Sequence, residues 1–147
     1  MKTLKNLLPV IALLLCFNFS SAQEMTAEKY ENLEWYTITL IKYEDGKKEA
    51  AQKIINDYFK PTDADLGEGG PVLEVDLLFS DWDQMVVFPM QEGIEALEWK
   101  MSPSDVEWRK AFAKRAGSEE KAKEIYQEFE SYVKDYKTHL ARSTVDN

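Results

Sequence analysis

One histidine and one cysteine are all that this 147-residue chain holds of the two side chains behind most nucleophilic and transition-metal chemistry. The cysteine, Cys16, lies in an N-terminal run that reads as a removed leader. Its loss excludes disulfides, thiolate zinc sites, iron–sulfur clusters and a cysteine nucleophile together. Glycine is scarce at six residues, and its cluster at Gly67-Glu68-Gly69-Gly70 lacks the third glycine and following helix of a dinucleotide loop. No glycine pattern of a nucleophile elbow is present, and a catalytic triad would have to use His139. Basic residues are the minority, 18 Lys and Arg against 27 Asp and Glu, for a formal charge of -9. That balance opposes nucleic-acid backbones and anionic lipid, both of which need clustered cations.

The apolar run that is present, Leu7 to Phe17, follows Lys2 and Lys5 and ends in Ser20-Ser21-Ala22. A basic start, an apolar centre and small residues before the cut are the parts of an export signal. Leu15, ahead of Cys16, is too bulky for a lipid-attachment site, so the expected product starts near Gln23, unanchored, in the periplasm or outside the cell. No later apolar run nears the roughly 20 residues needed to span a bilayer. The chain therefore divides into a signal over 1–22, a polar lead-in over 23–32 and a single domain over 33–147, long enough to bury a core.

Within that domain Glu34 to Tyr43 is dense in β-branched and aromatic residues and reads as a strand covered on both faces. Ala51, Ile54, Ile55, Tyr58 and Phe59 recur at helical spacing, giving a helix from Lys47 to Lys60 that Pro61 stops, with a loop over 61–71. Val72–Phe79 and Gln84–Met90 read as a hairpin. In its first strand Leu73, Val75, Leu77 and Phe79 alternate with Glu74 and Asp76. A short helical piece over Ile94–Lys100 follows. Then comes a helix opened by Ser102-Pro103 and closed by Gly117, and another opened by Ser118. In the last, Ala122, Ile125, Tyr126, Phe129, Val133 and Tyr136 form one stripe, and the tail over Lys137–Val145 reads as a strand.

This order is α+β, a ferredoxin-like βαββαβ unit with an antiparallel sheet and a long broken second helix. The chain resembles the dimeric α/β-barrel superfamily, which includes antibiotic-biosynthesis monooxygenase-like, stress-responsive and NIPSNAP-like proteins. The resemblance rests on element order and on three stretches: Trp35 to Tyr43, Asp81 to Pro89, and Leu140 to Thr144. It implies two sheets paired in a homodimer, helices outside, around a lumen that holds a small, often apolar ligand. With Leu73, Val75, Leu77 and Phe79 as core, Glu74 and Asp76 would face the lumen or the dimer seam.

Glu74 and Asp76, roughly 7 Å apart on one strand face, suit acid/base work or a hard cation, or are simply solvated charges. Asp63, Asp65 and Glu74 match three positions of a calcium loop, but Glu68 stands where its glycine should be and Pro71 interrupts it. His139 is a weak candidate for a base or metal ligand. Trp82, between two aspartates in the hairpin turn, calls for a ligand or a second subunit to cover it. The residues thus mark Tyr36, Glu74, Asp76 and Trp82 for ligand binding, and Glu74, Asp76 and His139 for catalysis. They assign no metal and no cofactor. A small-molecule binder, a cofactor-independent monooxygenase or isomerase, and an interaction module all remain open. Lacking a cysteine after the leader, the protein should melt at the same temperature with and without reductant. A large drop on adding reductant would overturn the assigned start or the fold.

Overall fold

β-Branched and aromatic residues build the first strand, β1 (Leu33–Tyr43), alternating apolar and acidic residues build β2 (Leu73–Asp76), and a mainly apolar run builds β3 (Gln84–Pro89). A fourth strand, β4 (Val133–Thr144), ends the domain. The computed structural model describes residues 26–67 and 70–144. The expected export signal, Glu68 of the calcium pattern and Val145 lie outside the described residues. The strands and helices described here belong to one compact unit, Glu31–Asn147, and residues 26–30 carry no regular secondary structure. Among the described residues no helix is long and apolar enough to cross a membrane.

The four strands form one antiparallel sheet in the order β2-β3-β1-β4. With a helix between β1 and β2 and two more between β3 and β4, this is the ferredoxin-like α+β topology.

The first helix, α1, departs from expectation. It is α-helical over Lys48–Ile54, π-helical over Ile55–Phe59 and α-helical again over Lys60–Leu66, where Gly67 caps it in the left-handed conformation. Pro61 therefore does not stop it, and residues 61–66 are helix rather than loop. A proline inside a helix removes one amide donor and crowds the preceding turn. The π turn just ahead absorbs this by widening the helix, and the Lys60 amide reaches back five residues to the Ile55 carbonyl. The buried Thr62 hydroxyl then donates to the Tyr58 carbonyl at 2.7 Å.

Two further helices follow as expected, α2 (Pro103–Ala116) and α3 (Glu119–Tyr132). Ser102 accepts from the Asp105 amide at 3.0 Å and Asp105 accepts from the Ser102 amide at 2.9 Å, a reciprocal capping box. Gly117 turns the chain at φ +98, and Ser118 caps α3 by accepting from the Lys121 amide at 3.1 Å. Before them, the short helical piece expected over Ile94–Lys100 is a 3-10 helix, Gly93–Glu98.

Two strand boundaries also move. β2 stops at Asp76, not Phe79, because Leu77 makes one last bond to Asp83 and Phe79 adopts φ 57, which no pleated strand admits. β4 begins at Val133, four residues early, taking Val133 and Tyr136 out of the expected helical stripe. Pairing of Val133 with Tyr43, and the Glu44 amide on the Tyr132 carbonyl, outweigh continuation of the helix.

Phe59 of α1 is the hub of the helical layer. Its ring meets Phe129 at 5.1 Å, Phe112 at 5.5 Å and Trp108 at 5.7 Å, all nearly edge to face. Ile54, Phe112, Ala122 and Ile125 are the buried centre of this cluster. Asp63 holds it from one side, accepting from the Trp108 indole at 2.6 Å, and burial raises the pKa of its carboxyl. Replacing Phe112 with alanine should lower unfolding free energy by about 3–5 kcal/mol, as read by chemical denaturation. A loss below about 1 kcal/mol would show that the helical layer is not the core.

Candidate functional site

β2 is an edge strand, so residues on its helix side sit at the rim of the layer, within reach of long side chains from α1. Both carboxylates of the Glu74/Asp76 pair point there. Glu74 is ion-paired with Lys60 at 2.7 Å and Asp76 with Lys48 at 2.9 Å. Leu73 and Val75 consequently point to the opposite side, which inverts the faces expected from the alternation. Leu77 and Phe79 lie beyond the strand and are not core; Phe79 is fully exposed.

Glu74 belongs to a polar node centred on Gln84, which is only 3% exposed. The Gln84 amide nitrogen donates to Glu74 at 3.2 Å, and its carbonyl accepts from the Tyr43 hydroxyl at 2.6 Å and from Gln52 at 3.1 Å. The Tyr43 amide is in turn held by Asp83 at 2.7 Å. Burial raises the Tyr43 phenol above its ordinary value, so the neutral donor is the folded form. The node joins α1, β1, β2 and β3, and every buried polar group in it is partnered.

The calcium pattern is not assembled as a loop. Asp63 and Asp65 stand on the last turn of α1, the former held by Trp108 and the latter by Arg115. Among the described residues no three His, Asp or Glu side chains converge as a metal site would require. Trp82 is half-buried in the β2–β3 connection, and Leu78 and Phe79 are the exposed apolar residues there, at 78% and 108%.

Tyr36 and His139 lie on the other side of the sheet from Glu74 and Asp76. Glu74 pairs across the ladder with Val86, and Val86 with Thr39, so odd-numbered residues of β1 face the helices. Tyr36, Ile38 and Leu40 face away, beside Pro89, Val87 and Met85 of β3. His139 lies opposite Ile38 and Ala141 opposite Tyr36. The Tyr36 hydroxyl donates to the Glu34 carboxylate, and that bond raises its pKa. Among the described residues no helix covers this open face, whose apolar centre is the half-buried Ile38, Leu40, Val75, Met85 and Val87 with the exposed Leu73, and whose polar margin is Glu34, Tyr36, Lys137 and His139. Alternation in β1 puts Tyr36 on one side with Ile38 and Leu40, but does not say which side. That β3 and β2 would add four more apolar residues to the same side required the register.

No family model matches this chain, and no curated protein matches it. Among solved structures it is similar to a NIPSNAP family protein with unknown function from Agrobacterium tumefaciens, with 11% identity, a TM-score of 0.49, and coverage of 80% of this chain and 95% of that one. A second NIPSNAP family protein from the same organism matches with 8% identity, a TM-score of 0.48, and coverage of 83% and 95%.

Since Gln84 ties four elements together, Gln84→Ala should cost about 1–3 kcal/mol, leaving Tyr43 and Glu74 short of a partner. Glu74→Gln, which keeps an acceptor and loses only a partly exposed ion pair, should cost under about 1 kcal/mol. Denaturation of both variants checks the order; a larger loss for Glu74→Gln would make the ion pair, not the node, the tie.

Proposed function

We propose that this protein is exported and acts as a homodimer that packs two copies of the open sheet face together and holds a small, partly apolar molecule between them. The observation that supports it is one-sided layering: α1 is tied to the Glu74/Gln84 face, and α2 and α3 pack on α1. Ile38, Leu40, Leu73, Val75, Met85 and Val87 share the face away from those helices. Five of these side chains are half-buried and Leu73 is exposed, and together they form one contiguous apolar patch with a polar rim, the pattern of a binding surface. The leader over residues 1–22 supports export.

Glu74 and Asp76 carry no part of this reading, because their partners are lysines of α1. Tyr36 and His139 keep theirs, as margin residues of the face. Trp82, in the β2–β3 connection, stands outside the set of residues on which the reading rests.

Native mass spectrometry of protein purified from its exporting host tests the whole reading. The expected species is a dimer of chains starting near Gln23 that releases a small molecule on denaturation. Val87→Glu, at the middle of the face, should give a folded monomer by light scattering at micromolar concentration. A wild-type monomer at that concentration would overturn the dimer, and a chain that still begins at Met1 would overturn export.

A further inference from the structure

Strand register aligns the open face into rows that run across the sheet. One row is Lys137, Leu40, Met85, Val75, and the next is His139, Ile38, Val87, Leu73. Each begins with a nitrogen base on β4 and continues through three apolar residues on β1, β3 and β2. Neighbouring strands lie about 4.8 Å apart, so the rows cross roughly 14 Å from base to last apolar residue.

Charge is as ordered as the rows. In a chain of net charge -9, neither the Lys137 nor the His139 side chain has a hydrogen-bond or ion-pair partner among the described residues. The ionisable groups that share their face are Lys42 and Asp135, opposite each other beyond Lys137, and Tyr36 and Glu34, bonded to each other beyond His139. A lysine on an edge strand discourages pairing with other chains. That role accounts for Lys137 alone and not for the apolar rows aligned behind both bases.

We infer that the open face binds a single-chain amphiphile with a carboxylate head, the head at Lys137 and His139 and the tail laid along the two rows toward β2. This rests on the reading of the open face as a ligand-holding surface and adds the ligand's chemistry and direction. An ammonium of Lys137 and a ring nitrogen of His139 supply two donors to one carboxylate, a charge-assisted contact. The tail covers Leu40, Met85 and Val75 on one side and Ile38, Val87 and Leu73 on the other. A cationic head is repelled at the same place.

Calorimetric titration of the purified protein with dodecanoate, dodecanol and dodecyltrimethylammonium, each below its micellar concentration, decides the matter. Dodecanoate should bind about tenfold tighter than dodecanol, and the ammonium weakest. Lys137→Gln should remove that tenfold preference and leave dodecanol binding unchanged, while Lys137→Arg retains the preference. Lys137 is exposed, so the substitution spares the fold, which circular dichroism verifies. Equal binding of dodecanoate and dodecanol, or a preference that survives Lys137→Gln, would overturn the head-group assignment while the ligand-holding face stands. Binding of none of the three would overturn both.

Discussion

The Gln84 node is the interaction on which the arrangement depends. One primary amide buried between sheet and helix must satisfy a carbonyl and an amino group, and it does so with Tyr43 of β1, Gln52 of α1 and Glu74 of β2. Each partner comes from a different element, so satisfying Gln84 sets the position of α1 over β2 and β3. A slip of one residue in β3 would carry Gln84 to the other face and take its amide away from all three partners. Lys48 and Lys60 then close over the edge strand by taking up Asp76 and Glu74. With α1 committed to that side and α2 and α3 packed on it through Phe59, the helical layer is one-sided. The apolar face beneath follows as its consequence.

Continuation of α1 past Pro61 matters to the same end. If the helix ended there, Asp63 would not reach the indole of Trp108, nor Asp65 and the Pro61 carbonyl the guanidinium of Arg115. Those three contacts tie the end of α1 to α2. The π turn is the local cost of carrying a proline through a helix whose last turn is needed for packing. Thr62, fully buried, answers one carbonyl at the widened segment.

Much of this was legible in the chain. Glycine and serine at 117 and 118, and the Ser102-Pro103 start, marked both ends of α2 and the start of α3, because caps are local chemistry. The order of elements was legible for the same reason. What misled was the treatment of Pro61 as a stop and of Val133–Tyr136 as helix, where packing and strand pairing outweighed local preference. The facing of β2 misled more seriously. Alternation states that Glu74 and Asp76 share a side, but not which one. The common rule that apolar residues face the core failed there because an edge strand lets lysines of α1 snorkel to its carboxylates. Tyr36 and His139 were legible only as members of strands; their placement with the apolar rows needed the ladder.

The sequence by itself determined the local facts: a leader-like start, an acidic charge with the single thiol of Cys16 in that start, the strands and helices, and their order. These depend on residues within a few positions of one another, through backbone preference, capping and periodicity. The tertiary structure alone decided which sheet face the helices cover, and therefore which carboxylates are held in ion pairs. It also decided which residues from four strands form continuous rows from Lys137 and His139 across to β2. Both depend on contacts between residues far apart in the chain, where register and burial, not neighbouring sequence, settle each side chain's surroundings.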